Sequence, residues 1–330
     1  MSEWESAFAA RIGWSRLPAS LRGAVWALTS ALVFSLMAVL VKLMGSRLDS
    51  FQVAFFRAAF GLFGILPFAI MAGSVSWRTN RLPVHLLRGT VGMAGMFCGF
   101  YSITHLPLAD ATALSFTKPL FLTVLASVLL GETIRARRIT ATVLGFVGVV
   151  IMLRPGVNLD PAAFVALGGA FSVAIVVVTV KKLVVTERPV TVMFYFGIIS
   201  TLIAAIPAAY VWKQPTLEEF GALVLIGLLG ATAQTCMIRG FQLADAMAVA
   251  SLDYTRLLYA GIFSILIFNE IPDRWTVVGA SIIVAATFYI IYREQQLGKR
   301  ATAPVLDQAP IKPDDIAPEV KRPERRNPAE

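Results

Sequence analysis

The sequence predicts an all-α polytopic membrane protein, ten transmembrane helices built as two inverted repeats of five. Three observations carry that prediction. Hydrophobic residues make up 57% of the 330 and charged residues only 15%, too few to cover the surface of a soluble domain of this length. Apolar runs long enough to cross a hydrocarbon core, roughly 20 residues for about 30 Å, recur between short polar breaks. The second half of the chain repeats the first at a shift of 138 residues. A β-barrel would instead show alternating segments of about ten residues, and the sequence has none.

The elements follow in order. Residues 1–20 form a polar N-terminal segment with Glu3, Glu5, Arg11 and Arg16 and no apolar core, so they do not read as a cleaved signal peptide. Spans are predicted over 23–44, 51–72, 86–104, 108–130 and 139–153, a first repeat over 21–154. A second repeat over 155–292 holds spans at 161–181, 190–211, 217–238, 246–268 and 275–292. Asp160-Pro161 reads as an N-cap followed by a proline in the first helical position. Thr216 with Glu219 reads as a capping box. Arg138 and Arg154 flank the short fifth span and are placed to snorkel. Residues 293–330 lack apolar periodicity and read as a disordered cytoplasmic tail.

Basic residues set the orientation. Of the 29 Lys and Arg, 21 fall to the side that holds both termini, 5 to the other (Lys42, Arg47, Arg154, Lys213 and Arg274) and 3 inside spans. The positive-inside rule then places both termini in the cytoplasm, in a multi-pass protein of the cell inner membrane. The same asymmetry accounts for the net charge of +9, so nucleic acid is not an expected partner. Cys98 and Cys236 lie in apolar runs and suggest neither a disulfide framework nor a metal site. No cofactor is expected; the expected partners are the lipid bilayer and a small-molecule substrate, and a homo-oligomer is compatible with the sequence.

At the shift of 138, Gly89 meets Gly227, Gly92 meets Gly230, Cys98 meets Cys236, Thr117 meets Thr255 and Glu132 meets Glu270. Phe116 faces Tyr254 and Lys118 faces Arg256; a shift of 139 puts Lys42 on Lys181. Five spans is an odd number, so two copies enter the membrane from opposite sides. Such inverted repeats mark secondary transporters, with the substrate at the repeat interface near the midplane.

The costly residues point to the same place. Lys118 and Arg256 each lie about ten residues into their spans, ~15 Å deep at 1.5 Å per residue. A basic residue there costs at least ~2.5–3.5 kcal/mol, so both are expected to face a shared polar cavity rather than lipid. Asp253 precedes Arg256 by three residues and Ser115 precedes Lys118 by three, each on the same helix face. Pro119 frees the Ser115 carbonyl, whereas its repeat mate is Leu257, so span four is the better candidate for a mobile kink. Tyr101 and Gln234 are further polar candidates in spans three and eight. Arg57, in span two, admits three readings: substrate contact, closure of the outer mouth, or snorkelling. Its repeat mate is Phe196. Glu132 and Glu270 end spans four and nine and suit a structural role or a mouth network rather than the centre. Gly89, Gly92, Gly95 and Gly99 suit close helix packing.

The stretch LPLADATALSFTKPLFLTVLASVLLGE (106–132), with small residues, a mid-helix proline and a closing glutamate, resembles the end of an EamA repeat of the drug/metabolite transporter superfamily. SLDYTRLLYAGIFSILIFNE (251–270) resembles a second copy with Leu257 in place of the proline, and FFRAAFGLFGILPF (55–68) resembles the family's second helix with its arginine, here Arg57. The resemblance covers 21–292 and implies ten helices and transport of small metabolites. The overall pattern is similar to exporters of the YddG type, which implies export of amino acids, aromatic or apolar; LADATALSFT also resembles adenosylmethionine-type uptake carriers. Lys118 and Arg256 depart from a generic member. The expected site is therefore Lys118, Arg256, Asp253, Ser115, Tyr101, Gln234 and Arg57: basic groups for a carboxylate, Asp253 for an ammonium. An enzyme is not expected, because no paired carboxylates, His–Cys cluster or phosphate loop occurs. A channel is the remaining class.

Overall fold

A computed structural model of the chain describes residues 17–71, 79–130, 136–153, 160–183, 186–187, 189–244, 249 and 252–302. Among them there is no strand, and eleven helices form the ten spans. They are α1 (Ala19–Met44), α2 (Ser50–Met71), α3 (Leu82–His105), α4 (Leu108–Ser115), α5 (Lys118–Leu130) and α6 (Ala136–Leu153) in the first half. In the second half α7 (Pro161–Leu183), α8 (Pro189–Tyr210), α9 (Leu217–Leu243), α10 (Thr255–Phe268) and α11 (Arg274–Thr302) follow. Five stretches, Ala19–Met44, Leu108–Leu125, Pro161–Val180, Thr191–Tyr210 and Leu217–Leu243, are long and apolar enough to cross a membrane, and shorter apolar helices run Ile139–Leu153, Thr255–Phe268 and Arg274–Ile290. The chain divides into a unit of Met1–Arg293 and a unit of Glu294–Glu330.

Local chemistry sets the helix ends. The Asp160 carboxylate accepts from the Ala162 N–H at 2.8 Å, capping α7 ahead of Pro161. Thr216 and Glu219 form the expected box at α9: the Thr216 N–H donates to Glu219 at 2.7 Å and the Glu219 N–H to the Thr216 hydroxyl at 3.3 Å. Asn269, at φ 54°, closes α10 in the left-handed region. The last helix runs ten residues past the expected end at 292. Residues 293–302 contain no proline and mostly good helix formers, and Pro304 is the first breaker. Glu3, Glu5, Arg11, Arg16, Glu132, Arg154 and residues 303–330, all singled out above, lie outside the described residues.

The halves are interleaved rather than side by side. The helices α1 and α9 pack together, as do α3 and α7; α2 packs on α8 and α9, and α3 on α8. Under exchange of the halves, α1 on α9 becomes α7 on α3, and α2 on α9 becomes α8 on α3, so the pairs are pseudo-two-fold mates. Glycines allow the approach. A Cβ at Gly89 would lie 2.3 Å from Ile199 Cγ2, and one at its mate Gly227 would lie 2.3 Å from Phe60 Cβ. The bundle ends are stapled by mate loops too. At the Lys42 end, Gln52 exchanges hydrogen bonds with Lys213 at 2.7 and 3.0 Å, and Arg47 pairs with Glu219. That carboxylate holds the Arg47 guanidinium above its ordinary pKa. At the opposite end His85 pairs with Glu187 at 2.7 Å, and Thr79 donates to the same carboxylate.

Candidate functional site

Spans four and nine, expected as single helices, are both interrupted at repeat-mate positions. In span four, Phe116 and Thr117 separate α4 from α5, and their N–H groups bond only three residues back, to Ala113 and Leu114, at 3.1 Å. In span nine the interruption falls at Tyr254. The Thr117 hydroxyl donates to the Leu114 carbonyl at 2.7 Å, and the Thr255 hydroxyl to the Leu252 carbonyl at 2.7 Å. A side-chain donor thus takes a carbonyl that a continuous helix would use. This corrects the expectation that Pro119 singles out span four. Pro119 is the second residue of α5, where its missing N–H leaves nothing unmade.

The two interruptions meet. The Phe116 and Tyr254 rings lie 4.7 Å apart at 32°, and Tyr254 shares a hydrogen bond with Thr287 of α11. Around this slab the charges collect. Lys118 Nζ is 3.9 Å from Asp253 Oδ2, and Arg256 Nη1 is 3.9 Å from Asp253 Oδ1. Asp253 is only 6% exposed, and its Oδ1 has no hydrogen-bond partner among the described residues. Both cations also face rings: Lys118 Nζ is 5.8 Å from the Phe116 centroid, and Arg256 Cζ is 4.8 Å from that of Phe34 on α1. The carboxylate therefore sits between two cations, within Coulomb range of each and hydrogen-bonded to neither. An isolated buried charge is costly and persists only when compensated. Compensation here is loose enough to leave an acceptor and two cationic donors for a guest.

The other expected residues divide. Ser115 sits at the end of α4, and its hydroxyl donates to the Thr112 carbonyl at 2.6 Å, so its oxygen keeps only accepting capacity. Tyr101, 38% exposed, stacks on His105 with centroids 3.8 Å apart near the end of α3. Gln234 is exposed on α9. Among the described residues no hydrogen bond or ion pair joins Tyr101 or Gln234 to the Lys118–Asp253–Arg256 cluster. Arg57 faces Gly230 of α9, whose Cβ would lie 3.2 Å from the arginine Nε. Phe34 was not anticipated: an aromatic in an all-apolar helix carries no sequence signal. The paired Phe-Thr and Tyr-Thr dipeptides at 116 and 254 were the available signal for the double interruption.

A second cluster closes the Lys42 end. Lys42 Nζ donates to Glu270 at 2.6 Å and to the Leu106 carbonyl at 2.7 Å. Glu270 also accepts from the Leu108 N–H at 3.2 Å and the Ser264 hydroxyl at 3.1 Å. One carboxylate thus ties spans one, four and nine together.

An interleaved ten-span bundle of two inverted halves, with buried charges near their junction, has the architecture of a membrane transporter. The chain belongs to the EamA-like transporter family, whose model matches residues 21–154 and 160–292. It is 37% identical over 277 residues to an S-adenosylmethionine uptake transporter of Rickettsia prowazekii (strain Madrid E), covering 84% of this chain and 94% of that one. It is 29% identical to the pseudopaline exporter CntI of Pseudomonas aeruginosa (strain UCBPP-PA14), over 80% of this chain and 94% of the other. A riboflavin transporter of Vibrio cholerae matches at 29%, over 85% and 96%. A solved crystal structure shares the fold at a TM-score of 0.59 and 16% identity, covering 86% of this chain and all of its own.

Proposed function

We propose that this protein is an inner-membrane secondary transporter that carries a small metabolite with an amino-acid head group by alternating access. One observation carries the reading: Asp253 Oδ1 is buried and without a hydrogen-bond partner among the described residues, between Lys118 and Arg256. A zwitterionic head group completes that arrangement. Its carboxylate meets Lys118 and Arg256, its ammonium meets Asp253, and an apolar or aromatic remainder packs on Phe116, Tyr254 and Phe34. Interruption of both spans beside the site supports movement there, because helices without a continuous hydrogen-bond ladder bend at low cost.

Both termini are cytoplasmic on the basic-residue asymmetry of 21 against 5. That orientation makes the Lys42–Glu270 network the closed outer end. Uptake is the direction favoured by the relatives at 35–37% identity, which are named as S-adenosylmethionine uptake transporters. Export, with amino acids as cargo, is the second reading, favoured by the pseudopaline exporter at 29%. The test is flux in proteoliposomes with both substrate gradients, using a labelled panel of amino acids and S-adenosylmethionine. Transport of one member that falls at least about 10-fold in Lys118→Met and in Arg256→Met, both still folded, is the expected result. Full transport in both variants removes the site from the mechanism.

A further inference from the structure

Arg57 occupies a slot that the repeat duplicates. The crossings α3 on α8 and α9 on α2 are mates, and each is built on two glycines. Gly89 receives Ile199 where Gly227 receives Phe60, and Gly92 receives Phe196 where Gly230 receives Arg57. The partner positions obey the shift of 139: 60 maps on 199 and 57 on 196. In three of these four slots an apolar side chain fills the space left by a missing Cβ. In the fourth stands a guanidinium.

Packing does not require that guanidinium. The mate slot is filled by Phe196, a ring whose Cε2 would lie 2.7 Å from a Cβ at Gly92, with the Arg88 guanidinium 4.3 Å over its face. Nor does Arg57 point to lipid. It shares the stripe of Ser50, Val53, Ala54 and Ala58, all buried, and faces α9. Among the described residues it has no ion pair and no hydrogen bond, whereas Lys42, Lys118 and Arg256 each have a carboxylate within 3.9 Å, and Arg88 of α3 donates to the Val192 carbonyl at 3.3 Å. Arg57 lies beside Met37: the arginine Nε and the Met37 sulfur are 3.2 and 3.3 Å from the same point at Gly230. Phe34, three residues earlier on the same face of α1, is the ring under Arg256. Arg57 and Arg256 thus border one face of one helix, about one turn apart.

We propose that Arg57 is a second anion-binding group of the central site, and that the transported molecule carries an anionic group beyond its amino-acid head. This rests on the carrier reading above. Among the described residues of the site, three basic residues, Arg57, Lys118 and Arg256, stand against one acid, Asp253, so a zwitterionic head, which adds no net charge, leaves Arg57 unanswered. A carboxylate or phosphate at the far end of the substrate answers it, in a bidentate geometry that suits a guanidinium. S-adenosylmethionine, with a sulfonium and an ammonium against one carboxylate, makes the balance more positive, so this chain is selective for a more acidic cargo than the one in its relatives' name.

The experiment uses the full chain in proteoliposomes and matched pairs of labelled compounds: L-glutamate with L-glutamine, and O-phospho-L-serine with L-serine. The expected result is a KM at least about 10-fold lower for the acidic member of a pair. Arg57→Phe, which installs the residue of the mate slot and keeps the crossing packed, abolishes that preference, and Arg57→Lys keeps part of it. Arg57→Gln gives the same readout if the phenylalanine variant does not fold. Equal handling of acid and amide by the wild type, including transport of neither, overturns the proposal; so does a preference that survives Arg57→Phe or Arg57→Gln. Lys118→Met lowers transport of both members alike. If it lowers neither, the central site itself is wrong, a failure separable from an unchanged preference in the Arg57 variants.

Discussion

Thr117 and Thr255 make the same hydrogen bond in the two halves of the chain, each hydroxyl donating at 2.7 Å to the carbonyl three residues before it. The spans that carry Lys118 and Arg256 are interrupted beside this bond, at Phe116 and Thr117 directly before Lys118 and at Tyr254 two residues before Arg256. Replacement by valine keeps the β-branched shape and removes the donor. Each of Thr117→Val and Thr255→Val is expected to cost only about 1 kcal/mol of stability, the net worth of one hydrogen bond. Transport is expected to fall several-fold because the interruption loses its side-chain substitute. Thermal unfolding alongside flux separates the two; unchanged flux in both variants excludes a role for the interruptions in movement.

Asp253→Asn tests the open acceptor. It keeps the shape between Lys118 and Arg256 and removes the charge. A substrate's ammonium then loses one charge-assisted hydrogen bond, about 1.5–3 kcal/mol, so KM is expected to rise by roughly 10-fold or more. A des-amino analogue, which has no ammonium to lose, is expected to be handled no worse than by the wild type. The ratio of the two KM values is the readout.

The Lys42–Glu270 network predicts a different phenotype. Lys42→Met leaves a partly buried carboxylate without its cation, and the tie between spans one, four and nine is lost. Stability is expected to fall by about 2–4 kcal/mol, near the lower range for breaking a buried pair. A cysteine placed at Leu108 is expected to react faster with a membrane-impermeant thiol reagent added outside. The exchanged pair Lys42→Glu with Glu270→Lys restores part of both. Unaltered labelling in Lys42→Met removes the network as a closure.

Glycine positions give an internal control on packing. The backbones of α6 and α11 touch at Gly148 and Gly279: a Cβ at 279 would lie 2.6 Å from the Gly148 carbonyl oxygen. Backbone cannot yield as a flexible side chain does, so Gly279→Ala is expected to cost about 1–3 kcal/mol, the range of overpacking. A Cβ at Gly168 or Gly261 meets nothing within 4 Å. Alanine at these helical positions is expected to be neutral or stabilising by up to about 1 kcal/mol. Unfolding midpoints of the three variants check the order.

Much of this was legible in the sequence, for identifiable reasons. A mid-membrane cation is expensive enough that Lys118 and Arg256 announce a buried partner, and spacing of three supplies Asp253. Capping at Asp160 and at Thr216 with Glu219 is local chemistry and appears where the residues predict it. What was not legible was azimuth. Tyr101 and Gln234 lie in helices apolar on all sides, and such helices do not say which face turns inward. Span nine has no proline at its interruption, so proline does not mark it; what accompanies it is the Thr255 hydroxyl on the Leu252 carbonyl. The slots at Gly92 and Gly230 required knowing which helices cross.

The exchange of partners between halves also bears on biogenesis. The helix α3 finds its packing partner α7, and α1 its packing partner α9, only after the later helix has been synthesised. A nascent chain that has delivered its first five spans therefore presents glycine-lined faces with nothing against them. The crossings between the halves are complete only once residue 243 has been made, so each half is expected to depend on the other for its packing. Two fragments divided between α6 and α7 are expected to be degraded when expressed singly and to accumulate when expressed together, held by the same crossings that join the intact chain.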